Sequence, residues 1–202
     1  QAEHNQLLQL ELNRGISRHL ARDSKGFSYL LVPSPLPPNA SGFTLRISRK
    51  PHPQSIADFS TKRPLPAFAL PDAADTPCFS AGLAVDAQDR LHLVFTTSAR
   101  QTAYSVVDTQ QLRSGRAGPN WLNPVTGQQG VLVLAAARSW VGDICRAPAG
   151  QVWLAWTTEE TNDSEVTVHL GTLRNEDWQS FELGRGKKFY PPSLLIARDG
   201  TS

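Results

Sequence analysis

Short runs of alternating apolar and polar residues, broken by turn residues, occupy most of the chain. In "VTVHLGTL", Val166, Val168 and Leu170 fall on one face and their neighbours on the other, the period of a strand. "GLAVDA" (82–87) and "RLHLVFTT" (90–97) read as a hairpin closed by a two-residue turn. Helical periodicity is nearly absent. "PSPLPPNASG" (33–42) reads as a loop, because proline cannot donate to a strand ladder. "LRSGRAGPNWLNPVTGQQG" (112–130) reads as a loop insertion with a strand-like piece.

The alternation comes in copies. "RLHLVFTT" (Arg90–Thr97) aligns with "QVWLAWTT" (Gln151–Thr158), placing Leu93 on Leu154, Phe95 on Trp156 and the Thr-Thr pair on itself. Upstream, "GLAVDAQD" (Gly82–Asp89) aligns with "DICRAPAG" (Asp143–Gly150). "HLARDSKGFSYLLV" (His19–Val32) is an earlier copy, with Gly26 at the turn position of Asp89 and Gly150. "SLLIARDG" opens a fourth near the end. The full copies lie about 60 residues apart, and the last follows after about 50. That length suits one four-stranded antiparallel sheet per copy.

The third copy divides into strands at Val141–Arg146, Val152–Thr158, Val166–Arg174 and Gln179–Leu183. The second divides at Ala81–Asp86, Leu91–Thr97, Ala103–Asp108 and Val131–Ala136, and the first at Ser17–Arg22, Phe27–Val32, Phe43–Ser48 and Ala67–Leu70. "LQLELNRG" (8–15) echoes "QSFELGRG" (179–186), the last strand of the third unit. The chain then reads as one strand over 7–12, three units over 16–70, 81–136 and 140–183, and one strand over 193–198. Such sheets stack radially as β-propeller blades. The expected fold is all-β: about three complete four-stranded blades with flanking single strands, part of a larger six- or seven-bladed propeller. An ordinary β-sandwich, which also carries short strands at regular spacing, is the alternative. Remaining blades or another chain would then cover the open faces at both ends.

Composition narrows the partners. A net charge of +2 and a pI near 8.7 give no strong field for nucleic acid, and the basic runs at 46–50, 61–63 and 185–188 are short and scattered. No run of about 20 apolar residues is present, so no membrane span is expected. The chain opens on Gln1 and contains no Met, which fits a secreted or periplasmic chain after signal removal, or a fragment. Cys78 and Cys145 are too few for a disulfide framework and lack zinc spacing; they are two buried thiols or one bridge. "NAS" at Asn39 and "NDS" at Asn162 match the glycosylation sequon. His4, His19, His52, His92 and His169 show no metal-binding spacing, and His19, His92 and His169 fall within expected strands as structural residues. "TEETNDSE" (158–165) lacks the order of an EF-hand loop. No metal and no cofactor is expected, and there is no phosphate loop, serine elbow or Cys–His signature.

"GLAVDAQDRLHLVFTT", "DICRAPAGQVWLAWTT" and "PSLLIARDG" share a pattern that resembles the blades of bacterial sialidase-like propeller proteins, the BNR-repeat or exo-α-sialidase-like group. The resemblance covers most of the chain and bears on fold more than activity. The family's Asp-box, S/T-x-D-x-G-x-T-W, has no complete copy here, although "ARDGTS" at the end can open one. Nor do the family's three carboxylate-binding arginines, its Tyr–Glu nucleophile pair and its Asp acid find matching local motifs. No catalytic residue can be assigned.

Propeller ligands meet loops at one face. The connections between units supply Arg14, Asp75, Arg138, Trp140, Asp143, Arg185, Lys187 and Tyr190, and the second-to-third strand loops supply Arg100, Glu159, Glu160 and Asp163. A glycan site needs aromatic platforms with carboxylate and guanidinium partners. Arg138, Trp140, Asp143 and Tyr190, with Arg185 beyond them, form the candidate ligand-binding set. Trp140 can instead pack between blades. Glu159 and Glu160 read as a solvated pair, since adjacent residues of an extended segment point apart. The function expected is a binding or scaffolding module for glycan or protein. The alternative is a sialidase-like glycoside hydrolase with catalytic residues partly outside this chain.

Overall fold

A computed structural model describes residues 19–33, 43–59, 63–64, 78–97, 100–114, 120–135, 138–159, 165–174, 177–187 and 194. The alternating runs become strands: β1 (Leu20–Arg22), β2 (Ser28–Pro33), β3 (Phe43–Ile47), β4 (Arg63–Pro64), β5 (Cys78–Val85), β6 (Arg90–Thr97), β7 (Thr102–Asp108), β8 (Leu132–Ala135), β9 (Ser139–Arg146), β10 (Val152–Glu159), β11 (Glu165–Arg174) and β12 (Asp177–Lys187). Among the described residues they form three antiparallel four-stranded sheets, each a meander in chain order: β1–β4, β5–β8 and β9–β12. The protein is all-β, and the described sheets do not close into a ring. No helix among the described residues is long and apolar enough to cross a membrane.

The first two strands of each sheet meet in the same hairpin. Asp23 N–H donates to the Phe27 carbonyl and Gly26 N–H returns to the Asp23 carbonyl; the pattern recurs at Asp86, Asp89 and Arg90, and at Ala147, Gly150 and Gln151. Three residues therefore span each turn, rather than the two read from the sequence. The third adopts a left-handed conformation, at φ +84° for Gly26, +59° for Asp89 and +92° for Gly150. A tight turn followed by a left-handed residue matches the twist of the strands it joins. Glycine adopts that conformation without strain, and aspartate tolerates it better than most residues.

Two expected elements differ. The paired fourth strand of the first sheet is Arg63–Pro64, while 67–70 lies outside the described residues, as do 7–12 and all of 193–198 except Leu194. The 112–130 insertion is only partly irregular. A short helix, α1 (Thr109–Arg113), begins at Asp108, whose side chain accepts the Gln110 N–H at 2.6 Å and caps it. Leu122 then bridges back to Val106, and Ser105 Oγ donates to the Leu122 and Gly130 carbonyls.

The middle sheet is covered on both faces, so most of its strand residues are buried, polar His92, Thr96, Thr102 and Ser105 among them. Leu83, Val85, Leu91, Leu93 and Phe95 pack toward Tyr29, Leu31, Leu45 and Ile47 of the first sheet, joined by Leu112 and Trp121 from the insertion. Alternate residues Ala84, Val94, Tyr104 and Val106 pack toward Val141, Ile144, Leu154 and Trp156 of the third. Burying one such leucine contributes about 1.5–3 kcal/mol. The first strands approach one another across the sheets, β1 beside β5 and β5 beside β9. Two bonds involving β9 add to these contacts: Thr96 Oγ1 of β6 accepts the Val141 N–H at 2.9 Å, and Asp143 Oδ2 accepts the Leu194 N–H at 2.7 Å.

Candidate functional site

The hairpin geometry gives every sheet two ends. The turns at Asp23, Asp86 and Ala147 lie at one, the turn end; Arg100, Arg138, Glu159 and Lys187 lie at the other, the loop end. At the loop end, the Ser139 N–H and hydroxyl both donate to the Arg100 carbonyl, each at 2.9 Å, and the Glu159 N–H donates to the Arg138 carbonyl at 2.7 Å. These backbone links bring three segments together. The Arg100 guanidinium then lies 5.0 Å from the Trp140 ring centroid, within cation–π range. Its Nη1 is 3.6 Å from Glu159 Oε2. Arg138 is exposed beside them in a left-handed conformation at φ +47°.

The candidate residues part company here. Arg138 and Trp140 share the cluster. Asp143 does not: it is buried on β9, and its carboxylate accepts the N–H groups of Ile144 and Leu194, each at 2.7 Å. It holds backbone rather than facing a ligand. Arg185 stands on the outermost strand, β12, its Nε 2.8 Å from Glu182 Oε1, and this bond from Arg185 holds the exposed Glu182 carboxyl below its usual range. Tyr190 lies outside the described residues. Arg100 and Glu159 complete the cluster instead.

At the turn end stand two carboxylates that the candidate set omits. Asp86 Oδ1 accepts the N–H groups of Gln88 and Arg90, at 2.9 and 2.8 Å. Its Oδ2 takes Arg90 Nε at 2.7 Å and His92 Nε2 at 2.9 Å. The other imidazole nitrogen, Nδ1, meets the Tyr104 hydroxyl. Burial alone would raise the Asp86 pKa, but bonds from His92 and Arg90 outweigh it and hold the carboxyl well below its ordinary range. Burial pushes His92 below its usual value despite Asp86, and pushes the Tyr104 hydroxyl above the phenol range. A neutral His92 donates from Nε2 to a charged Asp86 and accepts at Nδ1 from Tyr104. Every member of this chain has its partner inside the protein, which makes it a brace rather than a solvent-facing acid–base pair.

Asp23 repeats the device in the first sheet. Its Oδ1 accepts the Lys25 and Phe27 N–H groups at 3.0 and 2.9 Å, and its Oδ2 accepts the Tyr29 hydroxyl at 2.9 Å. Arg113 of α1 supplies the cation, bonding Asp23 Oδ2 and lying over the Phe27 ring. Burial, then the bond to Asp23, raises the Tyr29 pKa above the phenol range. A signal for both braces was present in the repeat: "DSKGFSY" (23–29) and "DAQDRLH" (86–92) place an aromatic donor six residues after the aspartate. The third unit has Ala147 and Trp153 at those positions and keeps only the backbone turn.

Aromatic rings extend outward from Tyr104. Trp178 lies 5.6 Å from it and 6.0 Å from Trp156, and His169 stacks on Trp156 at 5.2 Å. Gly171 makes room for them, since a Cβ there would lie 2.3 Å from the Trp178 ring. Among the described residues no group of three or more His, Cys, Asp or Glu side chains is arranged to hold a metal ion. No family model and no curated protein matches the chain.

Proposed function

We propose that the chain is part of a β-propeller of sialidase-like repeats and serves as an extracytoplasmic binding module that meets its ligand at the loop end. Three features support the blade reading. The sheets repeat one strand order. Their first strands lie side by side, as inner strands around an axis do. The Leu194 N–H bonded to Asp143 sets the start of the next repeat against β9. Further blades would cover the outer faces, where Leu20 on β1 and Phe181 and Leu183 on β12 are exposed.

The observation that carries the binding reading is the Arg100–Trp140–Glu159 cluster with exposed Arg138 beside it. Arginine and tryptophan are the residues that most often anchor protein interfaces. Arg100 lies over one face of the Trp140 ring, so that face is no platform for a sugar. A protein segment bearing carboxylates is therefore the favoured ligand, with a glycan as the alternative. Probing the chain with arrays of acidic and neutral peptides and of sialylated and neutral glycans tests this. Acidic peptides should bind, binding should weaken with salt, and the double variant Arg100→Ala, Arg138→Ala should lose about tenfold or more in affinity. Binding untouched by that double variant, or turnover of a fluorogenic sialoside, would overturn the reading.

A further inference from the structure

A second concave surface lies at the other end of the molecule and does not depend on the loop-end reading. Between the turn ends of the second and third sheets is a cleft of about 530 Å³. That is within the size range of small-molecule sites. Its walls are the β5–β6 turn, the end of β7 at Asp108, the β9–β10 turn and the end of β11 at Leu173 and Arg174.

The cleft is held open by construction. Gly150 comes so near the neighbouring turn that a Cβ would lie 2.5 Å from the Ala87 Cβ, so the two turns touch and brace one side. The Asp86–His92–Tyr104 chain stiffens the wall behind it. Little ordering is left for a ligand to impose.

The lining selects a chemistry. Leu173 of β11 and the turn residues Ala87 and Ala149 contribute apolar surface, with buried Val152 beneath them. Around them stand two cations, Arg90 and Arg174, and two carboxylates, Asp86 and Asp108, so the cleft carries no net charge. Asp86 is fully engaged, and Arg90 spends its Nε on it. Asp108 spends Oδ1 on the Gln110 N–H. Among the described residues its other oxygen, the Arg174 guanidinium and the Gln151 amide make no hydrogen bond. The rim thus offers donors and acceptors together above apolar side chains. A phosphate or carboxylate would meet Asp108 as well as the arginines. Hydroxyl groups, each both donor and acceptor, suit the rim, and the C–H face of a sugar ring suits Leu173, Ala87 and Ala149. We propose that this cleft binds a neutral saccharide of one or two rings.

The test is an amide NMR titration of the isotope-labelled chain with methyl α-glucoside, cellobiose and lactose, and with glucuronate and inorganic phosphate as anionic comparators. At least one neutral sugar should shift resonances at 86–90, 108, 149–152 and 173–174, saturating with millimolar affinity. Arg174→Ala and Gln151→Ala should each weaken it about tenfold, the loss of one good polar contact. The loop-end variant Arg138→Ala should leave it unchanged, which separates this site from the loop-end ligand. Urea midpoints equal to the parent's would show that the variants fold. No response to the neutral sugars, responses confined to other residues, or a stronger response to glucuronate or phosphate would overturn the proposal.

Discussion

Asp23 and Asp86 occupy the same place in successive sheets, yet the interfaces beside them differ. Between the first and second sheets, α1 swings in from the insertion, and Arg113 reaches across to Asp23 and Phe27. The turns are tied further by Ser24, whose N–H and hydroxyl donate to the Asp89 carboxylate at 2.7 and 2.5 Å. Between the second and third sheets no such helix intervenes among the described residues. Asp86 keeps its cation, Arg90, on its own hairpin and bonds inward to His92. Similar carboxylate turns thus close one interface and leave a cleft at the other. The repeat builds the sheets, while the residues inserted between strands and repeats decide which interface stays accessible.

The largest effects should come from the carboxylates. Asp23→Ala strands Arg113, 15 % exposed at its side chain, together with two backbone N–H groups and the Tyr29 hydroxyl. Breaking a buried ion pair from one side costs about 3–5 kcal/mol. Asp86→Ala should cost less, about 2–3 kcal/mol, because half-exposed Arg90 can return to water. Urea unfolding reads both; a loss below about 1 kcal/mol for Asp23→Ala would mean that the closed interface is not held there.

Gly150→Ala comes next. It forces a side chain into a left-handed position and against Ala87 Cβ, so a destabilisation of about 1–3 kcal/mol is expected. Gly26→Ala meets the His52 ring instead, which can swing aside, and should cost less. Thermal melts of the pair compare a contact between two sheets, at Gly150, with one inside the first unit, at Gly26.

Acid should affect the interfaces unequally. The folded pKa of His92 lies below its ordinary value of 6.5, so the unfolded chain takes up the proton first. Its contribution is complete above about pH 6.5 and is lost as pH falls through that value toward the folded pKa. Burial lowers His169 as well, so it acts in the same direction. Asp86, held below its ordinary 3.8, adds a further loss below about pH 4. His92→Gln, whose amide can both donate to Asp86 and accept from Tyr104, should flatten the upper window to the share left by His169. The first brace has Tyr29 in place of His92, a group that does not ionise in that window. Tyr29 and Tyr104, both raised by burial, lose their contributions only as pH rises above about 10. An unchanged acid slope in His92→Gln, followed by circular dichroism, would contradict this account.

The smallest effect belongs to Ser24→Ala. Ser24 is exposed, and losing its hydroxyl bond to Asp89 should cost about 0.5 kcal/mol. Bonds from Ser24 outweigh the burial of Asp89 and hold that carboxyl below its ordinary value, so the variant should also raise the Asp89 pKa in a carboxylate NMR titration.

Much of the loop end was legible. Arg138 and Trp140 stand where unit boundaries place them, because strand polarity fixes which end each connection occupies. Asp143 was not legible as a buried residue: its carboxylate bonds the Leu194 backbone, 51 positions away. The joining of Arg100 and Glu159 to Trp140 likewise rests on cross-strand backbone bonds between separate connections.

Period-two alternation and the recurring turn positions at Gly26, Asp89 and Gly150 were enough to place most strands, the hairpins and their repetition from the residues themselves, but not the three-residue length of the turns or the position of β4. These depend on neighbours a few residues apart. The helix at 109–113 that leads into the 112–130 stretch, the reach of Arg113 to Asp23 and the cleft between the second and third sheets came from long-range packing. They arise where segments tens of residues apart compete to satisfy the same buried charge and cover the same apolar face, and no local pattern records which segment wins.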